Sequence, residues 1–384
     1  MPAGLTVADV VAILDRLYEP STAEEWDAVG LVCGNPTNPV SKVLFAVDPA
    51  AAVVEEAIAW GADLVVTHHP VFLRPVHGVA ATSARGRLVH TLIRHDVALH
   101  CAHTNADAAD PGVSDALAQR IGLVDLAPLS ARPTEPSDKL ITFVPWGALD
   151  RVIDALAAVG AGVIGDYERC AWTTEGEGTF RPLPGARPTT GQVGEVERVP
   201  EHRLEMVVPR HRRADSIAAL RRAHPYEEPA FDVVELAALP GRTGIGRVGR
   251  LPDPMRLTDF TVLVASSLPA TVVGVRAAGD PDMVVESVAV CGGAGDSLLS
   301  AAQRGRADAY VTGDLRHHPV SDHLAEGGPA VVDVTHWASE WPWLSDAARS
   351  LTAEAAAAGA TVDTRVSTIP TDPWSLHQPS RSSR

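Results

Sequence analysis

The sequence predicts an α/β fold of two similar lobes with mixed or mainly parallel sheets, plus an inserted ferredoxin-like α+β domain. Three observations carry this expectation. Strand and helix signals alternate at the lengths of βαβ units. The composition breaks near Ala131, where RPTEPSD supplies prolines and turn residues. Beyond residue 237, segments echo those before the break.

Each element follows from its pattern. The first lobe, 1–136, begins with a helix expected near 7–18, where apolar residues recur at helical spacing and Asp9 and Asp15 interrupt them. The apolar run SKVLFAVD predicts a strand at 41–48, AAVVEEAIAWG a helix, and ADLVVT a buried strand at 62–67. A helix at 83–95 then leads into the strand VALHCAHT at 97–104. The insert, 137–236, reads as strand KLITFVP, helix LDRVIDALAAVG and a Gly- and Pro-rich stretch through 174–194. Strand HRLEMVVP, helix ADSIAALRRA and HPYEEPAFDVVEL complete a β-α-β-β-α-β order.

The second lobe, 237–367, opens with GRTGIGRVGRL, read as a tight connection out of the insert. SVAVCGG, SLLSAAQRG, ADAYVT and AVVDVTH then alternate as strand and helix. GADLVVTHHP at 61–70 parallels RADAYVTGDLRHHP at 306–319, and VALHCAHTNAD at 97–107 parallels AVVDVTHWASE at 330–340. In each, polar residues able to bind metal stand just past a strand, so two similar lobes are expected to face each other. Prolines and serines without periodicity predict a disordered tail at 368–384.

Bulk properties narrow the function classes. With 384 residues, 46% hydrophobic, the chain can bury several cores. A formal net charge of −16 repels a polyphosphate backbone and disfavours non-specific nucleic-acid binding. Cys33, Cys101, Cys170 and Cys291 form no C-x-x-C pair, which fits a reducing cytoplasm. No basic segment precedes the first helix as in a signal peptide, and no uncharged apolar run approaches the ~20 residues that span a bilayer. No membrane partner is expected.

His68 and His69 leave the strand DLVVT at the carboxyl edge, where open α/β sheets place ligands. Successive residues of an extended chain point to opposite sides, so the rings can serve two different ions. Two exposed loop histidines would give the same pattern. His103 and Asp107, and His336 and Glu340, are spaced four residues apart; if each pair begins a helix, its members share a face. A helix-surface hydrogen bond explains either pair alone, but three such clusters at equivalent strand ends point to metal. Imidazole and carboxylate suit Zn, Mn, Fe, Co or Ni, and a bridging carboxylate allows two ions ~3.5–4 Å apart.

The segments VVTHHPVF, HTNADAADPGVSDALA, HPYEEPAFDV, AVCGGAGDSLL, AYVTGDLRHH and DVTHWASE together resemble the dinuclear metal-centre family known as GTP cyclohydrolase I type 2 homologues. The similarity runs from the first helix to about Val366. The resemblance implies His68, His69, Asp107, His336 and Glu340 as ligands of two divalent ions, zinc first among them, with Glu340 as the bridge. His103 matches a family position but is expected to orient Asp107 or a bound water rather than to ligate, and the resemblance implies a toroidal homohexamer. Family members commonly carry Gly where Thr335 stands, and the β-branched residue is expected to restrict the backbone there.

Other motifs compete. Cys291-Gly292-Gly293-Ala294-Gly295 is built like a phosphate loop but lacks its lysine, so backbone approach to the metal pocket is the favoured reading. HPYEEPA, with His224, Glu227 and Glu228, reads first as a Pro-stiffened turn and second as a carboxylate site. His318 is not expected to ligate. The leading expectation is a metal-dependent hydrolase acting on a nucleotide, GTP by resemblance, or a phosphoester. The alternative is a metal-binding regulatory or scaffold protein whose insert senses an effector.

Overall fold

The protein is described by a computed structural model covering residues 4–378. It divides into two compact units: the described residues up to Arg132 together with those from Arg242 onward, and Pro133–Gly241.

The first unit contains two mixed sheets. In one, Asp363–Val366, Lys42–Ala46, Leu64–Thr67 and Ala98–Cys101 run parallel, and Gly30–Cys33 closes one edge antiparallel. In the other, Ala330–Val334, Ala309–Gly313 and Val284–Ala294 run parallel. Arg276–Ala278 flanks them on one side, and Pro240–Arg256 followed by Val124–Pro133 on the other. The central strands read as unbroken apolar runs because both faces are covered. Leu44, Ala46, Val65 and Leu99 pack against the helices Ala51–Trp60 and Ala84–Arg94. On the second sheet's outer face, Ala289, Tyr310 and Val331 pack with Leu299 and Ala302.

The inner faces meet one shared core. Val43, Phe45, Leu64 and Val66 of one sheet and Val288, Val290, Val311 and Val332 of the other belong to a single buried cluster. Helices Val7–Leu17, Val113–Arg120, Leu257–Ser267 and His336–Ala357 supply the rest through Leu14, Leu117, Phe260, Trp343 and Leu351. Each such side chain contributes about 1.5–3 kcal/mol relative to exposure. The segments read as two lobes, 1–136 and 237–367, thus fall in one compact unit apart from 133–136 and 237–241, which belong to the other. The strand Asp363–Val366, which periodicity did not reveal, returns to pair beside Lys42–Ala46.

GRTGIGRVGRL is more than a connection: it lies within the strand Pro240–Arg256 and buries Arg247. The guanidinium donates to both Asp115 oxygens at 2.8 Å, to the Gly244 and Gly246 carbonyls at 2.7 and 2.8 Å, and to the Ala109 carbonyl. Its charge is therefore fully partnered inside the fold.

The second unit is one antiparallel sheet in the order Phe231–Glu235, Ser137–Pro145, Glu197–Pro209, Trp172–Phe180. Helices Leu149–Ala157 and Arg213–Ala223 pack on one face through Val152, Leu156 and Leu220 against Leu140, Leu204 and Met206. This is the ferredoxin-like order, with its second strand inside the Gly- and Pro-rich stretch. Alternating TEGEGTF forms that strand because Glu197–Pro209 offers it a complete ladder.

Of the segment expected to be a disordered tail, residues 368–378 are described. The Thr371 hydroxyl donates to Asp48, beside the first sheet. Residues 379–384 lie outside the described residues. No described helix is long and apolar enough to cross a membrane.

Candidate metal centre

The strand Leu64–Thr67 ends where the Thr67 hydroxyl donates to the His69 carbonyl at 2.9 Å, tightening the turn that holds both histidines. His68 is fully buried. Its Nδ1 lies 2.9 Å from the Ala102 carbonyl oxygen, which can only accept, so Nδ1 carries the proton and Nε2 is left with a lone pair. His69 Nδ1 donates to Asp48 at 2.7 Å, His103 Nδ1 to Asp27 at 2.7 Å, and His336 Nδ1 to Asp314 at 2.7 Å. All four rings are thus fixed through Nδ1, the arrangement that orients metal-binding imidazoles.

The Nε2 atoms of His68, His69 and His336 converge on Glu340. His336 begins the helix His336–Ala357, so Glu340 lies one turn along the same face with an Nε2 to Oε1 distance of 2.9 Å. His68 Nε2 stands 3.4 Å from Oε1, and His69 Nε2 3.1 Å from Oε2 and 3.1 Å from His336 Nε2. Asp107, on the short helix Thr104–Ala108, places Oδ1 3.6 Å from His68 Nε2. The edge of a tetrahedron with Zn–N bonds of about 2.0–2.1 Å is about 3.3 Å, so these spacings suit ligands around an ion. The donor set fits in a second way: His68 Nε2 and Glu340 Oε2 are buried without a hydrogen bond. Leaving both unpaired in a dry site is costly, and a cation between them removes that cost.

Electrostatics agree. Burial, the largest influence on His69 and His336, works against their charged forms, yet the Glu340 carboxylate with Asp48 or Asp314 outweighs it. Their pKa values are held up at about 10 and about 11. His68 is raised against burial by Glu340 and Asp107. Burial alone would raise Glu340, but the surrounding imidazoles hold it well below the ordinary carboxylate range. Asp107 is raised, chiefly by burial. The pocket is a concentrated set of titrating groups that a metal ion would relieve of protons.

The glycine loop lies against this centre. Gly293 has φ +70, and a Cβ there would stand 2.4 Å from Glu340 Oε1 and 3.1 Å from His336 Nε2. Its N–H donates to Ser339 Oγ at 2.8 Å, tying the strand end to the helix that carries Glu340. Backbone approach therefore explains the motif. Thr335 sits at φ −73, ψ 144, extended backbone that a β-branched residue favours, so the expected restriction costs nothing.

Of the five expected ligands, His68, His69 and His336 surround Glu340 and Asp107 approaches His68, and His103 comes close as well. His68, His69 and His103 bring ligand atoms within 4.8 Å of one another, as do His69, His336 and Glu340. His318 is exposed, and its ring meets that of His317 edge to face. Asp48, Asp27 and Asp314 were missed. Asp48 and Asp314 follow the apolar runs LFAV and AYVTG, a position that could have marked them, whereas Asp27 lies in a loop without periodic signal. Two cavities flank the centre: one of about 620 Å³ with Asp48, His69 and Arg87, the other of about 670 Å³ with Asp314, His336, Arg276 and Trp374.

A family model described as Duf34/NIF3 (NGG1p interacting factor 3) matches residues 5–373. A Mycobacterium tuberculosis protein named GTP cyclohydrolase 1 type 2 homolog is 49% identical over 374 residues, 97% of each chain. Among solved structures, a Bacillus cereus protein related to NIF3 matches with TM-score 0.74 and 34% identity over 98% of this chain and all of its own. Staphylococcus aureus protein SA1388 matches with TM-score 0.83 and 28% identity, over 97% of this chain and 99% of its own.

Proposed function

The chain belongs to the Duf34/NIF3 family, and on that premise we propose that it is a dinuclear metal-dependent hydrolase. The observation that carries the reading is the convergence of His68, His69 and His336 on opposite oxygens of one buried carboxylate, Glu340. His68, His69, Asp107, His336 and Glu340 are the residues that would hold two divalent ions, with Glu340 the carboxylate that would serve both. His103 sits beside them and orients Asp107 or a bound water.

Divalent ions held there, zinc first among them, would supply a water of lowered pKa and Lewis-acid polarisation of a carbon or phosphorus centre. The chain's own residues set the geometry. Asp48, Asp314 and the Ala102 carbonyl hold three imidazoles in one tautomer, and Gly293 leaves room beside Glu340. Five ligands for two ions leave open positions for water and substrate, which favours catalysis over storage.

The name GTP cyclohydrolase 1 type 2 homolog, borne by the mycobacterial relative, points to a nucleotide substrate, with phosphoesters as the neighbouring class. The test is turnover of GTP, other nucleotides and bis(4-nitrophenyl) phosphate by metal-loaded protein, with loss in Glu340→Gln. No turnover across the panel would leave the alternative, a metal-binding regulatory protein, which the cavity around Tyr226 in the inserted unit favours. We extend the reading to a cytoplasmic homohexamer; light scattering should then report six times the 40.4 kDa chain.

A further inference from the structure

A feature that the metal centre does not explain lies within the inserted unit, around the HPYEEPA turn. A cavity of about 670 Å³ opens there, inside the range of roughly 300–1,000 Å³ typical of small-molecule sites. Phe143, Phe180 and Tyr226 supply aromatic walls, and the rings of Phe180 and Tyr226 lie 5.9 Å apart. Four hydrogen bonds shape it. The His224 ring spans from the Phe143 carbonyl oxygen, at 2.9 Å, to the Tyr226 N–H, at 3.1 Å. The 181–190 segment is tethered to the turn by Arg187 N–H donating to Glu227 and by the Thr189 hydroxyl donating to the Pro225 carbonyl.

The decisive residue is Glu201, which is only 8% exposed. Its Oε1 accepts the Tyr226 hydroxyl at 2.9 Å; among the described residues no hydrogen bond reaches Oε2 and no cation pairs with the carboxylate. A carboxylate this buried is ordinarily matched by a positive charge. The one arginine lining the cavity, Arg203, is turned to Glu205 at 2.9 Å, outside the lining. Of the other lining carboxylates, Glu177 pairs with Arg198, while Glu175, Glu227 and Glu228 have no ion pair among the described residues.

We propose that this cavity is a binding site for a small organic cation, a primary amine or guanidinium on an apolar or aromatic body. The ammonium supplies the charge that Glu201 lacks, and the three rings take the apolar body and face the cation with their negative π-surfaces. The site needs no metal and stands independently of the proposed hydrolase activity.

The experiment titrates full-length protein calorimetrically with phenethylamine, with 2-phenylethanol of nearly the same shape, and with phenylacetate. Phenethylamine is expected to bind saturably, with the alcohol and the carboxylate at least about tenfold weaker. Glu201→Gln, which keeps the shape and the acceptor for Tyr226, should lower the amine's affinity by a similar factor, while Tyr226→Phe should lower it less. Equal binding of amine and alcohol would overturn the proposal, as would amine binding unchanged in a folded Glu201→Gln variant. Absence of amine binding at about 10 mM, beyond the millimolar affinities of weak ligands, would overturn it too. The comparison of three ligands on unaltered protein decides the matter even if the variants fail to fold.

Discussion

His69 and His336 lie 267 residues apart in sequence, yet their Nε2 atoms stand 3.1 Å apart. Each donates through its other nitrogen to a separate aspartate, Asp48 and Asp314, so neither ring can turn away. Two imidazoles so placed, with a buried carboxylate between them and a third imidazole, make a site that gains most when cations enter it.

Protein purified without chelator is expected to carry about two transition-metal ions per chain, because ligand clusters from three strand ends converge. Elemental analysis checks this. Occupancy that stays near one ion after reconstitution with excess zinc would contradict the paired site.

Glu340→Ala should cost more metal than His103→Ala. Without the carboxylate, two cations held there would face each other with less negative charge between them, and their repulsion would expel the weaker-held ion. His103, held by Asp27, should act through orientation, its loss lowering affinity by about 10–100-fold without abolishing either site. Zinc titration of both metal-free variants separates these outcomes. If His103→Ala loses both ions while Glu340→Ala keeps them, the two roles are reversed.

The metal-free protein should lose stability as pH rises above neutrality. His69 and His336 are held at about 10 and about 11, above the ordinary 6.5, so their stabilising contribution is complete below about pH 6.5. It disappears as pH climbs through the folded values, since the folded chain holds protons that the unfolded chain has released. Metal must displace those protons, so the stabilisation by zinc should grow over the same interval. Denaturant unfolding of chelator-treated and zinc-loaded protein between about pH 6.5 and 9 reads both slopes. A metal-free midpoint that rises with pH would refute the assignment.

Excising the inserted unit, Pro133–Gly241, should leave the remaining unit folded and able to bind metal. All five expected ligands lie outside it, and the flanking strands Val124–Pro133 and Pro240–Arg256 are neighbours in one sheet, so a short flexible linker can join them. Cooperative unfolding and undiminished metal content are the expected results. An insoluble or metal-free product would show that the insert is needed for folding of the remainder.

Much of this was legible locally. Apolar runs such as VLFA and LVVT mark buried strands because the hydrophobic effect acts on composition. The four-residue spacing of His336 and Glu340 marks a shared face because a helix turns every 3.6 residues. The ligand types likewise announce metal chemistry through their donor atoms alone. Other features depend on encounters between distant segments. The strand Asp363–Val366 exists because the edge of Lys42–Ala46 offers it a ladder, and Arg247 is buried because Asp115 meets it there. Asp27 is a loop carboxylate until folding sets it against His103, and Glu201 is an ordinary strand residue until an aromatic cavity encloses it. Sequence determined which groups can ligate and which segments can form strands and helices, because those properties reside in single residues and short periods. Only the tertiary structure decided which carboxylates fix the imidazoles and which charge is left without a partner, because burial and Coulomb interaction depend on distance through space.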